Sequence, residues 1–260
     1  MSQYILITGG AHGLGLALAK VHARRGDQIF ILDINPENGQ QAVRTLNALG
    51  GHSRFIQTDL TSAQACRQAI DEVISTWSHI DRLYNNAGIA GRICKLEQQQ
   101  DEDWQQVFEL NLFAQARLTR LLLPQLRQSA KAHVTNIASM AGLLCGSHTS
   151  IYSASKAAVI ALSEVLQQEL GKEKIGVTVA CPAFFQTALA HSIPKQDAKA
   201  RLAVEKLMQR SPLNADEVAT IIIEASDQGQ FLCLPHRRER WMWYLKRLHP
   251  GALYSLMRKL

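Results

Sequence analysis

Short apolar runs alternate with longer amphipathic stretches along most of the chain. The runs at 4–8, 28–33, 52–57, 82–85, 133–138, 176–181 and 230–234 read as strands. Helical periodicity occupies 14–25, 36–49, 62–77, 101–128, 152–171 and 215–227. Strands joined through helices pair in parallel, and near-continuous apolar strands need cover on both faces. The pattern therefore predicts an α/β domain over residues 1–235, built on a parallel sheet between helical layers. Residues 183–212 have weak periodicity and follow the end of the sixth strand, where open α/β sheets carry their active-site loops. There is no internal repeat and no low-complexity linker.

Composition narrows the class without changing it. The 260 residues are 47% hydrophobic and 19% charged, as in an ordinary soluble domain. No apolar run reaches the roughly 18 residues of a membrane span. The first residues carry no basic run, so no signal peptide is expected. Five scattered cysteines with no C-x-x-C pair argue against a metal site or a disulfide framework and fit a reducing cytoplasm. Charge is uneven: residues 231–260 hold seven of the 28 Lys and Arg but only one of the 22 acids, Glu239. The net charge of +6 thus belongs to the tail; the body is neutral, and nucleic-acid binding is not indicated.

The first strand runs into Thr8-Gly9-Gly10-Ala11-His12-Gly13-Leu14-Gly15 and then a helix. Gly9, Gly13 and Gly15 let the backbone turn tightly, so that Ala11, His12 and Leu14 lie against a pyrophosphate resting on the helix N-terminus. The spacing is G-x-x-x-G-x-G rather than G-x-G-x-x-G, but the strand–loop–helix context is the required one. The second strand ends at Asp33, whose carboxylate can bond both ribose hydroxyls and repel a 2′-phosphate. Ile34 follows it, and the loop has no Lys or Arg, so NAD is expected over NADP. Asp33 could instead cap the helix before Asn35-Pro36. Asp59 could contact the adenine amine or cap the helix starting near Ser62.

Tyr152 and Lys156 lie four residues apart in a helical segment, on one face, with Ser139 thirteen residues before the tyrosine. An ammonium beside a phenol favours the phenolate and lowers its pKa, which suits proton exchange with an alcohol or carbonyl. Ser139 can hold the reacting oxygen.

These motifs, in this order with Asp59-Leu60, Asn85-Asn86-Ala87-Gly88, Asn111 and the 182–187 segment, resemble the short-chain dehydrogenase/reductase family over roughly residues 4–234. The resemblance implies a Rossmann-like, doubly wound parallel sheet of seven strands. It also implies a catalytic group of Asn111, Ser139, Tyr152 and Lys156. Tyr152 would be the acid/base, and Lys156 would bind the nicotinamide ribose. Asn111 would anchor a water relay from Lys156, or be a solvated polar residue of the helix 101–128. Leu60, Asn86, Ala87, Gly88, Pro182 and Thr187 would contact the cofactor. A homodimer or homotetramer is implied as well. One departure stands out: the family has glycine after Pro182, where this chain has Ala183.

The expected activity is NAD-dependent interconversion of a secondary alcohol and a ketone. Ile89, Ile93, Leu143, Leu144, Phe184, Phe185 and Leu189 predict an apolar pocket and a sterol-, retinoid- or fatty-alcohol-like substrate. The competing reading is a dinucleotide-binding sensor or scaffold without catalysis. Residues 236–260 form an aromatic, basic extension that Pro250-Gly251 is expected to break into two helices. That extension could meet a membrane surface, pack on the body, cover the cleft or clamp a second subunit.

Overall fold

The computed structural model describes residues 2–257; Met1, Arg258, Lys259 and Leu260, and the side chains of Ala252, Leu253, Leu256 and Met257, lie outside what is described. Strands β1 (Tyr4–Thr8), β2 (Gln28–Asp33), β3 (His52–Gln57), β4 (Arg82–Asn85), β5 (His133–Ile137), β6 (Gly176–Ala180) and β7 (Leu232–Cys233) form one parallel sheet. Its order is β3-β2-β1-β4-β5-β6-β7, the expected doubly wound arrangement of seven strands. The chain adds strands outward from β1 to β3, then returns to the other side of β1 at β4. The carboxyl ends of β1 and β4 therefore diverge into a crevice, where ligands of open α/β sheets bind.

Two helical layers cover the sheet: α1 (Gly13–Arg24), α2 (Pro36–Ala48), α3 (Ala63–Thr76), α4 (Asp101–Phe108), α5 (Ala114–Arg127), α6 (Met140–Leu144), α7 (Ser150–Gly171), α8 (Ala198–Gln209) and α9 (Ala215–Asp227) occupy the body. Alternation along the strands sorts the core. Ile5, Ile7, Ile29 and Ile31 pack with α1 and α9, whereas Leu6, Phe30 and Leu32 pack with α3 and α5. β3, at the sheet edge, alternates exposed and buried positions, whereas β5 is buried throughout.

The structure differs from the periodicity reading in three places. The helix expected over 101–128 is interrupted by a π-helical turn at Glu109–Phe113, which contains Asn111. The wider turn lets the Asn111 side chain, fully buried, bond groups outside its own helix. The aperiodic segment 183–212 contains α8, and Ser139 opens the short helix α6. The extension folds as α10 (Arg237–Leu248) and α11 (Pro250–Met257), divided at Pro250 as expected. Among the described residues no helix is long and apolar enough to cross a membrane.

Candidate active site

The glycine loop after β1 is held from two sides. Gly9 donates its N–H to the Leu32 carbonyl at 2.7 Å, and the Asn86 amide donates to the Thr8 and Gly9 carbonyls at 2.9 and 3.0 Å. The N–H groups of Asn86 and Ala87 both reach the Thr8 hydroxyl oxygen. Gly9 and Gly13 take φ of +61° and +54°, the left-handed region open to glycine. Gly15 is required by close approach: a Cβ there would stand 2.1 Å from the Gly9 carbonyl oxygen. No side chain caps α1, whose first residues Gly13 and Leu14 border a cleft of about 1790 Å³. An uncapped helix start behind a glycine turn fits a dinucleotide pyrophosphate.

Gly9, His12, Asp33, Asp59, Leu60, Asn86, Ala87 and Gly88 also line that cleft. Ala11 and Gly15 are not among the residues that line it. Asp33 is 6% exposed; its carboxylate accepts the N–H groups of Ala11 and Asn35, both at 3.1 Å. The α2 cap is Asn35, which accepts from the Asn38 N–H at 2.9 Å, so Asp33 is not that cap. Ser62, not Asp59, caps α3; Asp59 instead accepts from the Thr61 N–H and hydroxyl.

Across the sheet, α6 and α7 bring Ser139, Tyr152 and Lys156 to the same cleft. The two helices touch at Gly142, where a Cβ would lie 2.7 Å from backbone atoms of Lys156 and Ala157. This backbone contact sets the distance between the Ser139 end of α6 and the Tyr152–Lys156 face of α7. Ser139 accepts the Ala141 N–H at 3.1 Å and donates to the Pro182 carbonyl at 3.4 Å. Lys156 is 3% exposed, donates to the Ile137 carbonyl at 2.9 Å, and lies 5.8 Å from the Tyr152 ring centroid. Burial lowers the Lys156 pKa to about 8. It pushes the Tyr152 phenol up to about 12, with the Ser139 hydroxyl pulling the other way. The net shift is thus opposite to the depression expected from Lys156: desolvation of the phenolate is its largest cause, and the group that opposes it is Ser139.

Asn111 donates to the Ile89 carbonyl and the Ser155 hydroxyl, both at 3.0 Å, and accepts the Ile89 N–H at 2.9 Å. It is therefore not a solvated helix residue. A Cβ on Gly88 would be 2.9 Å from Asn111 Oδ1 and 3.3 Å from Lys156 Nζ, so the two side chains flank one backbone position. Ser155 was not picked out by sequence reasoning, although it follows Tyr152 by three residues and could have been read as its helical neighbour. A buried relay was missed too: Asn85 donates to Thr119 and Asn136, and Asn136 donates to Ser163, tying β4, β5, α5 and α7 beneath the site.

Pro182 and Thr187 border the cleft, and Thr187 packs near Gly13. Ala183 is not among the positive-φ residues, so the backbone here does without the freedom a glycine would bring. Its N–H donates to His236 Nδ1 at 3.2 Å. Of the expected apolar lining, Ile89, Ile93, Leu144, Phe184, Phe185 and Leu189 are present, but Leu143 is not. Its carbonyl faces α10, accepting from Lys246 Nζ at 2.6 Å.

Comparison with known proteins places this arrangement. The family model for short chain dehydrogenase matches residues 3–198. Cyclopentanol dehydrogenase of Comamonas testosteroni is 29% identical over 232 residues, covering 88% of this chain and 92% of that protein. A 3-oxoacyl-(acyl-carrier-protein) reductase of Thermotoga maritima is 30% identical, covering 87% and 92%. The solved structure of a short chain dehydrogenase/reductase from Burkholderia phymatum in complex with NAD superposes with a TM-score of 0.90 at 28% identity, over 96% of this chain and 95% of that one. A short-chain dehydrogenase from Sphingobium yanoikuyae in complex with NADPH superposes at 0.80 with 27% identity, over 99% and 96%.

Proposed function

The chain belongs to the short-chain dehydrogenase family and is an oxidoreductase acting on CH–OH or keto groups. From that premise we propose that it interconverts an apolar secondary alcohol and its ketone, with Tyr152 exchanging the proton and NAD as the preferred dinucleotide. The observation that carries this reading is the convergence of Ser139, Tyr152 and Lys156 on an apolar cleft that also holds the glycine loop. Bound NAD(H) would supply the two-electron chemistry, accepting or returning a hydride at the nicotinamide ring. The glycine loop and the start of α1 would hold its pyrophosphate, and Lys156 a ribose hydroxyl. Asp33, at the cleft edge with Ile34 beside it, supports NAD because a 2′-phosphate would meet a carboxylate and no cation.

Within the cleft the Ser139 hydroxyl holds the substrate oxygen next to the Tyr152 phenol. With its pKa near 12, Tyr152 keeps its proton at neutral pH and can donate it as a carbonyl oxygen gains negative charge. In the oxidative direction the phenolate must form, and Lys156, against the ring, is the cation that stabilises it. Phe184, Phe185, Leu144 and Leu189 exclude water from the reacting carbon and favour a substrate with few charges. Tyr152→Phe tests the assignment: turnover of a cycloalkanol or ketone panel should fall by about 10²–10⁴-fold, with NADH affinity retained by fluorescence titration. Full activity in the variant overturns the role of Tyr152.

A further inference from the structure

The extension beyond β7 has two faces of different character. On its inner face, α10 is fastened to the body: His236 is 3% exposed at its start, Met242 and Trp243 pack on the cluster of Met140, Leu144 and Val179, and Lys246 bonds the Leu143 carbonyl. Arg238, Met242 and Tyr254 border the cleft that Ser139 and Tyr152 share. Its outer face carries Trp241, Tyr244, Leu245 and Leu248 at i, i+3, i+4 and i+7, a single apolar stripe. Such a stripe normally points at a core, yet here it points outward: Trp241 is 71% exposed and Leu248 76%.

Cations surround this stripe. Arg237 precedes Trp241 by one turn, and Arg247 lies 5.2 Å over the Trp243 ring. Six arginines of the body find acids, as Arg82 finds Asp227 at 2.8 Å and Arg92 finds Asp197 at 2.6 Å. Among the described residues, Arg237, Arg238, Arg240 and Arg247 form no such ion pair. The tail holds the whole net charge, and the body is neutral.

We propose that α10 docks on an anionic lipid surface through the Trp241–Tyr244–Leu245–Leu248 stripe, with Arg237, Arg240 and Arg247 meeting the headgroups and the cleft mouth held at the interface. A basic cluster without acid partners calls for an anionic surface, and an exposed Trp/Leu stripe calls for an apolar one; a negatively charged bilayer interface offers both. A second copy of this chain fits less well, because pairing two tails would juxtapose two like-charged clusters. Nucleic acid would leave Trp241 and Leu248 without an apolar environment. Placing Met242 and Tyr254 between bilayer and cleft gives an apolar substrate a route that avoids water. The docking itself does not depend on the proposed activity.

The test is sedimentation of the full chain with sucrose-loaded vesicles of phosphatidylcholine, with or without 30% phosphatidylserine (about this fraction gives a strong surface potential). Expected are binding that requires phosphatidylserine, weakens with added salt, and falls by about 20-fold in R237Q/R247Q and by tenfold or more in W241S/L248S. NADH binding and Tm should be unchanged in both variants, which separates lost docking from misfolding. Absence of binding to the anionic vesicles overturns the proposal, as does binding at the wild-type level by either variant. So does a wild-type oligomer that W241S/L248S dissociates on size-exclusion chromatography, since the stripe would then be covered by a second copy.

Discussion

Acidification from pH 7 to pH 5 should destabilise this protein, and His133 supplies a calculable share. The residue sits on β5, 5% exposed, with its Nδ1 against Gly176 of β6. The Thr178 hydroxyl donates to the Gln230 carbonyl at 2.7 Å, so it must accept from His133 Nε2–H at 2.8 Å. That leaves a neutral imidazole with no buried acceptor for a second proton. Desolvation, aided by Arg82, lowers its pKa from 6.5 to about 4. The folded state thus refuses a proton that the unfolded chain accepts near pH 6.5. The site's contribution is complete above 6.5 and lost as pH falls from there toward 4, with no further loss below. A gap of about 2.5 units corresponds to ~3.4 kcal/mol at the acid limit, of which ~2 kcal/mol is gone by pH 5. Urea unfolding followed by tryptophan fluorescence at pH 7 and pH 5 measures it, in wild type and His133→Gln. Glutamine can still donate to Thr178, and titrations common to both proteins, including that of His22, cancel in the difference. The fall in stability between the two pH values should be ~2 kcal/mol smaller in the variant. An identical pH dependence in the two proteins would refute the buried neutral imidazole.

Three further perturbations bear on the site. Gly15→Ala places a Cβ 2.1 Å from the Gly9 carbonyl oxygen, so the loop must open; NADH affinity should fall at least about tenfold by fluorescence titration. Gly142→Ala separates α6 from α7 and moves Ser139 away from Tyr152; kcat should drop by roughly 10²-fold with NADH binding retained, and an unchanged kcat would remove Gly142 from the positioning of the site. Asp33→Ala should narrow the preference for NAD over NADP by about tenfold in kcat/KM, while also freeing the Ala11 N–H; a constant ratio counts against the carboxylate as the selector.

Much of this was legible in the chain. Each strand was placed by its apolar run, with the largest boundary error at β7, which spans Leu232–Cys233 instead of 230–234. The glycine loop announced itself because a strand, a tight turn and a helix start are consecutive in sequence. Ser139, Tyr152 and Lys156 could be named, yet the direction of the tyrosine pKa shift could not, since it depends on how much protein surrounds the ring. The interruption at Glu109–Phe113 left no mark on the periodicity: inserting one wider turn changes the phase of a helix by less than its apolar stripe is wide.

Sequence alone determined the alternation of elements, the sheet class, the glycine turn and the concentration of charge in the tail. These follow from steric preferences and side-chain spacing within a few residues of backbone. Tertiary structure decided that Asn86 clasps Thr8 and Gly9, that Gly142 lets α6 rest on the backbone of α7, and that Asn111 reaches Ile89 and Ser155. It also decided which face of α10 was left over. The apolar positions of that helix form two sets, and packing on the body cluster of Met140, Leu144 and Val179 partly buries Met242 and Trp243, leaving Trp241 and Leu248 outside. Periodicity states that a helix has an apolar face; whether that face is covered depends on groups that approach from a hundred residues away.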